Sequence, residues 1–170
     1  MSGKRPAHST NAAQELAKLK AQIEALYVRA DPRSVDDPEL ASDLARYLCL
    51  RVAGYLEQAM SVCIRDRCLK GSWGIAQSFA MSWTDRMPNM SADAYVKVVG
   101  RFGPALASGA NDVLAEDERR ATLNSLIGIR NDIAHGKNQG ISREQAWEYF
   151  KVVEVLADWF AGQISSEVSV

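Results

Sequence analysis

Three residues near one stretch of the chain have the types and spacing to handle a phosphate-sized anion. They are Arg130, Asn131 and His135, within Leu126-Ile127-Gly128-Ile129-Arg130-Asn131-Asp132-Ile133-Ala134-His135-Gly136. A guanidinium is always charged and presents a planar fork of donors that matches phosphate oxygens. An imidazole is the side chain whose ordinary pKa lies nearest neutrality, so it can give or take a proton during a reaction. The carboxamide between them can orient either group. A metal centre is not expected: the chain has only two histidines, one of them His8 in a polar N-terminal stretch, and no cluster at metal-ligand spacing.

The polar residues also break the pattern around them. At 100° per residue Leu123, Ile127 and Ala134 fall on one helix line, and Arg130 lies within about 20° of it. A guanidinium in an apolar stripe costs several kcal/mol unless it is paired, reaches a cleft or meets another subunit. Glu57 and Glu154 are the candidate carboxylate partners. On the adjoining face Asn124, Gly128, Asn131 and His135 form a polar strip with a gap at the glycine. Arg130 and His135, five residues apart, are roughly 140° apart around an ideal helix. Either the helix end distorts, or two chains each bring part of the site.

The surrounding elements must hold this run in place. Polar residues 1–10 read as a mobile tail, and residues 11–166 as one helical domain. Asn11 and Gln14 suit a helix start, followed by Leu16, Leu19, Ile23, Leu26 and Tyr27 at helical spacing to about residue 30. Asp37 as cap and Pro38 at the first helical position open a long second helix to Lys70, stopped by Gly71. Its stripe of Leu44, Leu48, Val52, Tyr55, Leu56, Met60 and Cys63 marks it as the central core helix.

Ser72 is expected to cap a shorter helix carrying Trp73, Phe79 and Trp83. Helical spacing predicts that these rings pack in the core, although exposed rings of this kind would stack against bases. Ser91 opens another short helix, interrupted by Gly100, Gly103 and Pro104. The motif-bearing helix, counted as the fifth, is expected from Glu116 to Ala134 and is stopped by Gly136, Asn138 and Gly140. Ser142 and Gln145 form a capping box for a last helix with Ala146, Tyr149, Phe150, Val153, Ala157, Phe160 and Ile164 inward. No segment alternates with a period of two, so the fold class is all-α, a bundle of five to seven helices.

Composition narrows the partners. Apolar residues at 47% and charged residues at 24% supply a real core, and a net charge of −1 provides no general attraction for polyanions. The three cysteines, Cys49, Cys63 and Cys68, lie in helical stretches without a CxxC pair and read as reduced core thiols of a cytoplasmic protein. The N-terminus lacks a signal-like apolar segment, and no stretch is long enough to span a bilayer, so no membrane is expected.

At Arg130-Asn131-Asp132-Ile133-Ala134-His135 the chain resembles the HEPN superfamily, whose signature is an Arg, usually followed by a polar residue, four to six positions before a His at a helix end. With the long second helix, the Val98-Val99-Gly100-Arg101-Phe102-Gly103 element and the capped final helix, it is similar to the RiboL-PSP branch over roughly residues 40–165. The resemblance implies a homodimer in which two motif helices meet. It implies RNA cleavage by a 2′-hydroxyl attacking the adjacent phosphate, with His135 moving protons, Arg130 stabilising phosphate charge and Asn131 orienting its neighbours. No cofactor or metal is implied, because the nucleophile belongs to the substrate. Lys137, Arg119 and Arg120 are the candidate RNA-backbone contacts. The resemblance also implies a toxin or defence role with an antitoxin or other protein as partner, and it extends to non-catalytic dimerisation modules that bind a nucleotide or a protein.

Overall fold

A computed structural model of the chain describes residues 12–137 and 140–166. The tail expected at residues 1–10, the Asn11 start signal and the Asn138 stop signal lie outside the described residues. Helix α1 spans Ala12–Arg29. Asp37 then accepts hydrogen bonds from the backbone of Glu39 and Leu40, and Pro38 begins α2, Pro38–Gly71. At 34 residues α2 is roughly 51 Å long. Helix α7, Arg143–Ser166, packs along it.

The core forms between these two helices because their apolar stripes repeat for many turns. Leu48, Val52, Leu56 and Met60 of α2 meet Phe150, Val153, Leu156 and Phe160 of α7, all of them at most 1% exposed. Tyr55 meets Phe150 edge to face, with centroids 5.3 Å apart. Ile23 and Leu26 of α1 close one side. Each such side chain contributes roughly 1.5–3 kcal/mol through removal from water.

The remaining helices are α3 (Gly74–Ser82), α4 (Ala92–Val99), α5 (Pro104–Ala115) and α6 (Arg119–Ala134). The fold is all-α, and among the described residues no strand occurs. Ser91 caps α4 through the backbone of Ala94. The Tyr95 hydroxyl donates to the Leu156 carbonyl at 2.8 Å, fastening α4 to α7. Gly109 lets α5 approach α7 closely: a Cβ there would lie 2.9 Å from the Trp159 ring. No helix among the described residues is long and apolar enough to cross a membrane.

Several expectations are corrected. Pro104–Ala115 forms a helix of its own, because proline suits a first helical position, so the motif closes the sixth helix. That helix begins at Arg119, after a 3-10 turn at Glu116–Glu118 in which Asp117 and Glu118 adopt left-handed backbone angles. Ser72 does not cap α3; its hydroxyl donates back to the Cys68 carbonyl and finishes α2. The rings expected in the core are outside it. Trp73 is 84%, Phe79 67% and Trp83 49% exposed, and α3 contributes no buried residue.

Candidate functional site

Helix α6 enters the core through Leu123, Leu126 and Ile127. One turn beyond Ile127, Arg130 lies half-buried at the edge of that stripe, and Ala134, on the same line, is exposed as the helix leaves the core. The guanidinium of Arg130 donates to Oδ1 of Asn131 at 3.2 Å. The same oxygen accepts from Nδ2 of Asn89 at 2.8 Å. Two donors therefore fix the Asn131 carboxamide, leaving its own amide group directed elsewhere.

Asn89 belongs to the connection between α3 and α4, and the buried Met90 beside it anchors that connection. The Met90 backbone N–H faces the Glu57 carboxylate of α2. Burial pushes the Glu57 carboxyl above its usual range, and the Arg130 charge and the Met90 donor oppose that rise. Glu57 is thus the carboxylate whose field reaches Arg130. Glu154, the other candidate, is instead ion-paired with Lys20. Oδ1 of Asn89 is buried without a hydrogen-bond partner, an uncommon cost beside a polar cluster.

His135 is exposed and ends α6 as its C-cap, its N–H bonded to the Asn131 carbonyl at 3.0 Å. Gly136 follows at φ 74°, a left-handed angle that favours glycine. Its N–H reaches the Ile133 carbonyl at 3.0 Å, while the Lys137 N–H reaches that of Asp132 at 2.9 Å. This pair of bonds is a Schellman cap. It sets where the imidazole leaves the helix. Among the described residues no hydrogen bond joins the His135 ring to Arg130 or Asn131.

The structure therefore brings Arg130 and Asn131 together with Asn89 and near Glu57, with His135 one turn past Asn131 on the solvent side. Lys137 shares this end of the helix, its ammonium 2.7 Å from the Asp132 carboxylate. Arg119 and Arg120 lie at the other end of α6, roughly 22–24 Å away along its axis. Arg119 is bound to Glu116, Asp117 and the Val113 carbonyl. Arg120 is bound to Asp93 and Asn111. Gly128, in the polar strip, has open space where a Cβ would stand. Among the described residues no group of three His, Cys, Asp or Glu side chains could hold a metal ion.

Sequence reasoning missed Asn89 as part of the site. It sits 42 residues before Asn131, and its proline-flanked position marks only a helix breaker.

An all-helical bundle whose polar Arg-Asn-His run closes a core helix defines the class of module. The sequence model of the RiboL-PSP-HEPN family matches residues 76–166, from within α3 to the end of α7, and the chain belongs to that family. Comparison with curated proteins and with solved structures yields no match.

Proposed function

We propose that the chain is an endoribonuclease that cleaves RNA without a metal, at a composite Arg/His site formed by two copies. The observation that carries this reading is the fixed Asn131 carboxamide. It is held by Arg130 and Asn89 at the helix end, with an exposed imidazole one turn on. Such an arrangement orients a phosphate-binding group and leaves a proton carrier accessible to a large substrate.

In the proposed reaction, the 2′-hydroxyl of one nucleotide attacks its own 3′-phosphate. The hydroxyl loses its proton, the bond to the 5′-oxygen breaks, and that oxygen gains a proton. The products are a cyclic phosphate and a free 5′-hydroxyl. His135 acts as general base or acid, contributing a factor of about 10²–10⁴. Arg130 grips the phosphate and stabilises its growing charge, with Asn131 holding that side chain in line. Glu57 lies behind Arg130 as a positioning residue. The roughly 140° between Arg130 and His135 around the helix is the reason for a second chain: the Arg of one copy and the His of the other then face one phosphate. Lys137 is the RNA-backbone contact nearest the site, whereas Arg119 and Arg120 would serve only a distant part of a long RNA. A cytoplasmic toxin or defence role, with an antitoxin as a protein partner, is part of the same proposal.

The test is digestion of mixed RNA in EDTA, with the fragment ends analysed. Wild type should leave cyclic phosphates, and His135→Ala or Arg130→Ala should lose at least about 100-fold in rate. Mixing the two inactive variants should restore part of the cutting, because a mixed dimer retains one intact composite site. Equal cutting by all proteins would indicate a contaminant. A dimer that binds RNA or a nucleotide without cutting would assign the chain to the non-catalytic kind of module.

A further inference from the structure

Helix α3 is an anomaly in an otherwise ordinary bundle. Trp73, Ile75, Phe79 and Trp83 are all 49% or more exposed, and no residue of α3 is buried. Phe79 and Trp83 alone leave roughly 250 Å² of adjoining aromatic surface in water. Phe79 and Trp83 are one helical turn apart and meet edge to face at 6.5 Å. Beside them runs an open groove of about 250 Å³ lined by Cys68, Phe79, Trp83, Met87, Arg101 and Phe102. That is smaller than the ~300–1,000 Å³ pockets of drug-sized ligands and suits one planar ring system.

Charge identifies the occupant. The Arg101 guanidinium lies over the Trp83 ring at 4.1 Å, on the groove wall. Between residues 65 and 101 the chain carries six Lys and Arg against three Asp and no Glu, whereas the whole chain carries −1. A second protein face closing over Arg101 would have to desolvate that charge. A phosphate backbone would pair with it while its bases took the rings. Exposed aromatics interleaved with arginine are the means by which single strands are held without reading their sequence.

Position links this surface to the site. The Ser61 hydroxyl of α2 donates to the Thr84 carbonyl at 3.2 Å, and one turn earlier on α2 the Glu57 carboxylate faces the Met90 N–H. Residues 84–90 therefore run beside α2 from Trp83 to Asn89, which binds Asn131. Residues 84–90 can span at most about 25 Å, so Trp83 and the Asn89–Asn131 bond lie within that reach of each other.

We propose that α3 and its groove form a stacking platform for single-stranded RNA, holding the bases that flank the phosphate gripped by Arg130. The proposal rests on the ribonuclease reading for its substrate class and adds the recognition element. It accounts for rings in water that the fold does not use.

The experiment uses the full chain carrying His135→Ala, so that RNA stays intact, and a fluorescent single-stranded oligoribonucleotide beside a duplex of the same sequence. The single strand should bind more tightly and quench tryptophan fluorescence. Phe79→Ala and Trp83→Ala should each weaken it about tenfold, and Arg101→Gln should lower the salt slope of log Kd by about one. Phe79 and Arg101 border solvent, so circular dichroism melts of those two variants should stay at the parent value, and the binding of the half-buried Trp83 variant is read per folded molecule. In the His135 background the same changes should raise KM more than they lower kcat. If RNA is cut but these variants bind the oligonucleotide unchanged, the platform is overturned and the nuclease reading stands. Loss of a dimer by sedimentation with RNA affinity unchanged would also overturn it, making α3 a protein interface. Ring-dependent binding by a chain that never cuts would sustain the platform and remove the nuclease.

Discussion

Asn89 donates to Asn131 at 2.8 Å, joining the α3–α4 connection to the last turn of α6. The bond uses the Asn89 amide to orient Asn131 without touching the helix backbone, and the single side-chain oxygen of Asn89 stays buried and unpaired. Asn89→Ala is expected to reduce RNA cleavage about tenfold while costing about 1 kcal/mol of stability. Kinetics and urea melts of the same preparation check both numbers. A large stability loss with unaltered cleavage per folded molecule would make the bond purely structural.

Glu57 supplies a pH test. Its carboxyl is raised above the ordinary 4.5, chiefly by burial, so the fold favours its protonated form. That stabilisation is complete below the ordinary value and is lost as pH rises through the raised one. At neutral pH the ionised carboxylate therefore burdens the fold, and Glu57→Gln is expected to raise Tm at pH 7 but not at pH 4. The same variant loses the field on Arg130 and should cleave more slowly. Melts at the two pH values, with a rate at pH 7, separate the effects.

Thiol chemistry reports on the core. Cys49 is fully enclosed and its thiol is pushed up to about 12; Cys63 is nearly so, pushed up to about 11, both chiefly by burial. Cys68 is half-buried, its thiol raised by burial against the opposing charge of Arg67. Because the thiolate is the reactive form, a disulfide reagent at pH 8 should modify Cys68 alone, and slowly, in the native protein. All three should react in guanidinium. Prompt native labelling of Cys49 would mean that α2 and α7 separate readily.

Two glycines should behave differently. Gly136→Ala forces a side chain into φ 74° beneath His135, at a cost of about 1–2 kcal/mol, and should slow cleavage by shifting the imidazole. Gly109→Ala presses on the Trp159 ring, at a cost of about 1–3 kcal/mol, with cleavage per folded molecule retained. Paired melting and activity measurements check the contrast.

Long elements were legible in the sequence because their signals are redundant. Asp37-Pro38, Ser91 and Ser142 each cap the helix that their pattern announces, and the stripes of α2 and α7 repeat over many turns. Arg130 was legible as a misfit in such a stripe, and the family match covers that helix. α3 was not legible in this way. Ile75, Ala76, Phe79 and Ala80 give its nine residues an ordinary apolar side, so hydropathy reads that side as buried, and only the absence of an overlying element among the described residues leaves the rings in water. Ser72 shows a similar limit: a serine between two helices can finish one or start the next, and local sequence does not choose. Asn89 and Glu57 reach the motif through tertiary packing across tens of residues, which spacing rules do not see.

The placement of His135 on the outer lip of α6, clear of the Leu123, Leu126 and Ile127 packing, separates chemistry from architecture. Replacing the imidazole removes no buried contact, so the fold does not depend on it. In the proposed nuclease, a cutting form and an inert form would then differ by a single codon.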